Sequence, residues 1–530
     1  MPDWILLLPL LFPLTAAPLL APIANRVSAR ARLGLAVAFL AIEILTILAN
    51  ALPGSHRFAV STWDATSFSI ALQCDGVALL LLLMIFVPLA ALWLIASPHV
   101  PFDLTAILVL TAAMLLTMAD GLITIYLAWV ALDLAIFAWW LACDVERATA
   151  IHALALSQLA GLMLFAGALL LGTARANDGA LLLTLAFWAR LGLFPLHATL
   201  PTRGVQAHDL WIACGVPLLA ASSLWLRWST LRIAAPGTML SVLAGAAFIA
   251  AIIWTWSEEH PTRVVTAGVS HAFALAPLAI AFGSGDALAF ALWLALGATA
   301  AIALFAMAQT WRAENRNRYP RLIWFAGVLA LSGLPLTPTF LARVGLYVTL
   351  WENGEWLLLV LAGAATTLIL APLWNFGFAL TGTEARESNS GEYAGLAIIV
   401  AACGVLSLAP LPLAHALAAN LGESADHAME RVIWTNDALG VVIGFAMAIL
   451  PVVASFFLRG AARAMRSRPK SLLQHAARMM DLAWLRRILT GMGYRTGAMV
   501  RNVQTIAEEN PTVWLLFIAL WIAIFIAMAR

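Results

Sequence analysis

The sequence predicts an all-α integral membrane protein that crosses the bilayer with about 14–16 helices. Of its 530 residues, 63% are hydrophobic and only 11% are charged, whereas a soluble domain carries roughly 25% charged residues. Apolar runs of about 20 residues, each long enough to span a bilayer, follow one another along the chain. Lipid rather than water therefore covers most of the predicted surface.

The apolar runs begin at the N-terminus. Because the first run lacks a basic leading segment and a clear cleavage site, we expect it to be a membrane helix rather than a signal peptide. The predicted spans are 4–23, 32–52, 70–97, 102–119, 121–143, 149–173, 179–200, 207–231, 236–256, 263–284, 286–309, 322–350, 356–382, 392–416, 436–458 and 512–529.

Three arginine-rich connections predict the orientation. They lie at 26–32, 312–321 and 459–501, and an even number of predicted spans separates each from the next. All three therefore face the same side, which the positive-inside rule makes cytoplasmic. We expect both termini to lie outside, in a protein of the bacterial cytoplasmic (inner) membrane.

The segment 459–505 differs from the bundle at 1–458. It mixes arginines with Leu, Met and Trp, so it is too polar to span and fits an amphipathic lateral helix along the membrane or along neighbouring subunits. A solvated linker is the alternative. The run 512–529 is the predicted final membrane helix.

Ionisable side chains inside apolar spans are costly, and each is therefore a candidate for function. The candidates are Glu43, Asp75, Asp133, Arg190, His197, Arg227, His271 and Arg343. Asp120 and Asp286 fall in short connections, where capping is the simpler role.

Two spans are interrupted by proline next to charge, at Pro195 in the stretch 187–197 and at Pro335 in the stretch 333–343. Proline removes a backbone donor, and broken helices at matching places in two halves are typical of a transporter ion pathway. The spacing suggests two five-helix repeats, about 102–231 and 236–382. Ordinary proline kinks are the alternative.

Neither a cofactor nor nucleic acid is indicated. The four cysteines lie far apart, and no CxxC or Cys/His metal spacing appears, so no metal or iron–sulfur site is expected in this chain. A net charge of +2 gives no basis for nucleic-acid binding. No catalytic site is evident.

The interrupted spans resemble those of the antiporter-like subunits of respiratory complex I, membrane-bound hydrogenases and multi-subunit sodium/proton antiporters. That family's broken seventh helix reads Lys-x-x-x-Phe-Pro-x-His-x-Trp-Leu-Pro; its broken twelfth carries Gly-x-Pro, then Phe, then Lys. The matching residues are Arg190, Phe194, Pro195, His197, Leu200 and Pro201, with Thr199 in place of Trp, then Gly333, Pro335, Phe340 and Arg343. Weaker matches extend over most of the chain, at Asp75–Gly76, Asp120–Trp129, Arg227, Arg263 and Ser270–His271.

The departures from the family concern its charged residues. The family's glutamate after the fifth-helix tryptophan is Val130 here, and Asp133 lies one turn further on. The eleventh-helix region Gly297–Phe305 has no titratable residue, and both remaining family lysines are arginines. An arginine stays protonated, with a pKa above ~12, so it is a poor relay for protons.

The resemblance implies two inverted repeats with broken helices and a proton-translocating subunit of a complex I-like (NADH–quinone oxidoreductase) or hydrogenase-like assembly. Redox chemistry would belong to partner subunits. Protons, or Na⁺, would pass along Asp133, Arg190, His197, His271 and Arg343, with arginines as fixed charges. The alternatives are a non-conducting structural subunit with a degenerate channel and the membrane subunit of an inorganic-carbon uptake system.

Overall fold

The computed structural model describes residues 6–24, 26–51, 56–61, 70–95, 104–143, 145–171, 173–197, 209–227, 236–282, 287–313, 319–380, 390–408, 438–466 and 471–480. The chain divides into two compact units, Met1–Gln474 and His475–Arg530. The described part of the second unit is the end of a single helix, and the fold below is that of the first.

The N-terminal half consists of helices that follow the predicted spans. They are α1 (Leu8–Ala24), α2 (Ala29–Ala51), α3 (Gly76–Ile95), α4 (Leu104–Met118), α5 (Leu122–Ala142), α6 (Arg147–Leu171), α7 (Ala176–Arg190) and α8 (Val216–Leu226), the last preceded by a π-helical turn, Trp211–Gly215.

The C-terminal half continues in the same way. Its helices are α9 (Gly237–Ser257), α10 (Pro261–Phe282), α11 (Ala287–Ala313), α12 (Tyr319–Ser332), α13 (Phe340–Glu352), α14 (Trp356–Ala379), α15 (Ser390–Leu408), α16 (Ala438–Arg466) and α17 (Ser471–Met480). Within the described residues, nine helices are long and apolar enough to cross a bilayer. The chain is an all-α polytopic membrane protein, as predicted.

The C-terminal boundary differs from the prediction. Helix α16 runs to Arg466 rather than ending at 458, because the Ala- and Arg-rich sequence after 458 favours helix whether or not lipid surrounds it. Helix α17 lies within the predicted lateral segment. The rest of that segment after Met480, and the predicted helix 512–529, lie outside the described residues.

A small antiparallel sheet includes residues 70–74, which were predicted as the start of a membrane span. Strands β1 (His56–Ser61), β2 (Ile70–Cys74) and β3 (Ala119–Asp120) pair in that order. Helix α3 begins only at Gly76, and Asp75 Oδ1 accepts a hydrogen bond from the Ala78 N–H at 2.7 Å. This cap satisfies a backbone donor and sets the boundary.

Helix α11 lies at the centre of the bundle and packs against α3, α8, α10, α12 and α13. Its small residues permit this close packing: a Cβ on Gly297 would overlap Thr339 Cγ2, which lies between α12 and α13. The region without titratable residues in α11 is thus the packing surface for a helix break.

Both predicted helix interruptions are present, but each begins before its proline. Helix α7 ends at Arg190 and Gly192 follows with φ +60°; α12 ends at Ser332 and Gly333 follows with φ +72°. A glycine with positive φ just past the last turn is a common helix terminator. Other prolines lie inside continuous helices: Pro88, Pro277, Pro372 and Pro451.

Candidate functional site

The first break brings together an arginine and an aspartate, Arg190 at the end of α7 and Asp133 on α5. Arg190 Nη1 donates to Asp133 Oδ1 and also to Ser157 Oγ of α6, at 2.9 Å. Each of the two charged residues is only 5% exposed. Because the pair is shielded from solvent, the attraction between its two charges is strong.

Helix α6 completes the coordination of Asp133. Ser157 Oγ donates to Oδ1 at 2.9 Å, and Gln158 Nε2 donates to Oδ2 at 2.8 Å. Both carboxylate oxygens therefore have hydrogen-bond donors, which is the condition under which a buried charge is tolerated.

Trp129 lies one turn before Asp133 on α5. Together with Asp133, Ser157, Gln158 and Arg190 it forms what we call the first cluster. Its ring centroid lies 4.9 Å from Arg190 Cζ, within cation–π range, and its Nε1 donates to Ser157 Oγ at 3.2 Å. The guanidinium Nε and Nη2 atoms have no hydrogen-bond partner within the described residues. The Trp129–Asp133 spacing thus places a π face and a carboxylate on one side of the guanidinium.

The second break holds Arg343, which lies on α13 and is 1% exposed. Its Nη2 donates to the Leu331 carbonyl at 2.7 Å, and its Nη1 donates to Thr366 Oγ1 of α14 at 3.2 Å. No carboxylate among the described residues forms an ion pair with it. The C-terminal end of α12, which carries partial negative charge, faces the guanidinium instead.

His271 of α10 contacts the same threonine. Arg343, Thr366 and His271 form the second cluster. Its Nε2 lies 3.0 Å from Thr366 Oγ1, and the threonine hydroxyl donates to the Ala362 carbonyl at 2.9 Å. A hydroxyl has one hydrogen, so Oγ1 must accept from both His271 and Arg343. The network therefore assigns the Nε2–H tautomer to His271, with Nδ1 able to accept a proton.

Gly333 shapes the second break around the arginine. A Cβ at this position would overlap Arg343 Cδ, and its positive φ favours glycine independently. The close approach of this glycine allows the α12 carbonyl end and the guanidinium to meet.

His197 lies in the first break and packs against helix α9. Its ring centroid is 4.2 Å from that of Trp254 on α9, while Phe248 of the same helix lies 4.8 Å from His271. Helix α9 therefore contacts both His197 and His271 through aromatic rings.

The other intramembrane candidates lie apart from these two clusters. Glu43 on α2 is fully buried, and neither carboxylate oxygen has a hydrogen-bond partner among the described residues. Arg227 donates to the Thr117 carbonyl at 3.0 Å, Asp75 caps α3, and Asp120 pairs with Arg57 at 2.6 Å. Asp286 lies outside the described residues.

Three polar residues of the clusters were missed by sequence reasoning: Ser157, Gln158 and Thr366. The available signal was an uncharged polar residue within an apolar span, but such residues commonly bond to their own helix carbonyls, as Thr184 and Thr299 do here. Thr366 does so too, and only the structure shows that its oxygen also accepts from neighbouring helices.

Comparison with known proteins identifies the fold. No family model and no curated protein matches the sequence. A chain of the Mrp complex from Dietzia sp. DQ12-45-1b is similar, with a TM-score of 0.69 and 16% identity, over 94% of this chain and 60% of that one. The present chain thus spans 60% of the length of its Mrp counterpart.

Two respiratory complexes contain similar chains. The membrane-bound sulfane sulfur reductase, an archaeal respiratory membrane complex, has one with a TM-score of 0.65 and 16% identity, over 77% of this chain and 76% of that one. Respiratory complex I from Thermus thermophilus has one with a TM-score of 0.66 and 18% identity, over 81% and 99%. The fold is therefore the one that the broken-helix motifs predicted from their resemblance.

Proposed function

We propose that this chain is a proton-translocating, antiporter-like membrane subunit of a multi-subunit energy-converting complex. The observation that carries the proposal is a buried guanidinium with a titratable neighbour at each of two helix breaks: Arg190 with Asp133, and Arg343 with His271. The fold supports a subunit of a larger assembly, because the three similar chains described above each belong to a complex.

In this mechanism the arginines hold charge and their neighbours hold protons. Asp133 can take up a proton and release Arg190, whose guanidinium already lies over the ring of Trp129. His271 can take up a proton at Nδ1, where the charge of Arg343, joined to it through Thr366, favours passing that proton on. His197, whose ring lies against Trp254 of α9, is a further residue of the proposed pathway.

A second candidate is a non-conducting structural subunit. The specific observation in its favour is that Asp133 accepts hydrogen bonds from three different side chains, Arg190, Ser157 and Gln158. An ion pair held in this way keeps one geometry, and the arginine does not deprotonate. In this case the pair joins α5, α6 and α7 and no ion passes.

Proton flux in vesicles separates the two candidates. We expect Asp133→Asn and Arg190→Ala to abolish acidification by the reconstituted complex while its subunits still co-purify. Asp178→Asn is the matched control, since it removes an exposed carboxylate paired with Arg175 on α7. Unchanged flux in both variants overturns the proposed pathway through this chain. No flux in the wild type, together with disassembly of the complex in the variants, favours the structural subunit.

The coupling ion requires a separate comparison. We expect flux in the wild type to persist in sodium-free buffer, since each cluster already holds a buried arginine, whose charge opposes the binding of a second cation. A strict requirement for sodium would replace the proton by Na⁺ in the proposal.

A further inference from the structure

Helix α9 contacts both the first break and helix α14, through two tryptophans near its end. The ring centroid of Trp254 lies 4.2 Å from that of His197 and 6.0 Å from that of Phe194, both in the first break. Trp256 Nε1 donates to the Leu368 carbonyl of α14 at 2.7 Å. Residues two positions apart lie about 200° apart around a helix. One indole therefore contacts the break while the other bonds to α14.

A proline in α14 creates the acceptor of this hydrogen bond. The Leu368 carbonyl lies four residues before Pro372, which is inside the helix. In a regular α-helix that carbonyl accepts from the N–H of residue 372, and proline has no N–H. A backbone carbonyl within the bilayer needs a donor from the protein, and the indole of Trp256 supplies it. Two residues, one on each helix, thus specify the link between α9 and α14.

The same part of α14 belongs to the second cluster. Thr366 lies two residues before Leu368, and its Oγ1 is shared by His271 and Arg343. Phe248 of α9 also contacts His271, with 4.8 Å between the ring centroids. A shift of α9 along α14 would therefore change the packing at the first break and at the second cluster together.

We propose that Trp256 is a positioning residue that fixes α9 against α14 and so holds the first break in register with the second cluster. Trp256 acts through its neighbours, because Trp254 of the same helix contacts His197 and Leu368 lies beside Thr366. Its effect on proton flux rests on the proposed function, whereas its effect on the packing of α9 does not.

Two variants separate a link between helices from the need of one carbonyl for a donor. Trp256→Phe removes the indole N–H, so the Leu368 carbonyl loses its donor and the unfolding temperature should fall. Trp256→Phe/Pro372→Ala returns a donor from within α14, because residue 372 then has an N–H, and the unfolding temperature should recover. Both variants lack the hydrogen bond from α9 to α14, and the double variant keeps the test open where the single variant does not fold.

Hydrogen exchange of the reconstituted complex, followed by mass spectrometry, measures the packing of the first break. The Leu196 N–H donates to the Leu193 carbonyl at 2.8 Å within that break, so its exchange reports local opening. In the double variant we expect exchange at residues 193–197 about five-fold faster than in the wild type, since one hydrogen bond shifts an equilibrium by about that factor. Proton flux should fall by a similar factor. Exchange at the wild-type rate would mean that Trp256 serves only the Leu368 carbonyl, and it would overturn the proposal.

Trp324→Phe is the matched control. Trp324 Nε1 donates to the Leu373 carbonyl of α14 at 2.8 Å, but Trp324 lies on α12, and Gly377 of α14 has an N–H for that carbonyl. We expect residues 193–197 to exchange at the wild-type rate in this variant. Equal acceleration in Trp324→Phe and in the double variant would show a general loosening of α14 and overturn the role of Trp256. A wild type without proton flux would contradict the proposed function, while the exchange rates would still decide whether Trp256 positions α9.

Discussion

The two helix breaks bury the same cation and neutralise it in different ways. At the first, Arg190 faces a carboxylate on another helix; at the second, Arg343 faces the carbonyl end of the helix that has just ended. A carboxylate carries a full charge that must itself be desolvated, whereas a helix end carries about half a charge that is already part of the backbone. The first arrangement is therefore stronger and depends more on both partners.

The titratable neighbours differ accordingly. Asp133 is in direct contact with its arginine, while His271 is separated from Arg343 by the hydroxyl of Thr366. Protonation at the first break removes an attraction, and at the second break it creates a repulsion. If the proposed pathway operates, a proton would be bound at the first break and released at the second for opposite electrostatic reasons.

The variant Asp133→Asn should show the largest effect of this difference between the two breaks. It leaves Arg190 buried without a counter-charge, so we expect a loss of about 3–5 kcal/mol in unfolding free energy. Arg343→Met leaves no buried acid behind and should cost less, about 1–3 kcal/mol for its broken hydrogen bonds. Denaturant unfolding in mixed micelles, followed by tryptophan fluorescence, measures both.

The double variant Asp133→Asn/Arg190→Gln sharpens the same comparison. With both charges removed, we expect it to recover more than half of the stability lost in Asp133→Asn, since the unpaired cation is gone. The exposed pair provides the control, and Asp178→Asn should cost less than about 1 kcal/mol. A double variant no more stable than Asp133→Asn would mean that the pair is not a coupled unit.

The second break should depend on its glycine, Gly333. Gly333→Ala places a methyl group against Arg343 Cδ at a positive φ, and we expect a loss of about 1–3 kcal/mol with a fall in proton flux. Gly404→Ala on α15 is the control, because no atom lies within 4 Å of the added Cβ. Equal stabilities would show that the approach of Gly333 to the arginine is not needed.

The helix breaks show which features of the fold could be predicted from the sequence. Composition and run length predicted the membrane helices, and proline next to charge located both interruptions. Proline alone is a poor guide, because Pro88 and Pro277 lie in continuous helices. The interruptions also have glycines at positive φ, Gly192 and Gly333, and a glycine's backbone angle cannot be known before its neighbours are placed.

The clusters show where sequence reasoning stops. The Trp129–Asp133 spacing correctly put the carboxylate one turn along α5, and the structure places it against Arg190. The small strands and the hydroxyls of Ser157 and Thr366 were not predicted. Thr366 donates to its own helix, as other threonines here do. Whether its oxygen also accepts from neighbouring helices depends on helix rotation and separation, and these follow from packing across the whole bundle.

The smallest expected effects come from those two hydroxyls. Thr366→Val keeps the side-chain shape but leaves His271 Nε2 and Arg343 Nη1 without their shared acceptor, so we expect a loss of about 1–2 kcal/mol. Ser157→Ala should cost about half as much, because Arg190 and Asp133 still bond to each other. The same unfolding assay orders the two variants. A larger loss in Ser157→Ala would mean that the first break depends on its serine more than on its ion pair, and the contrast between a carboxylate-held and a carbonyl-held arginine would fail.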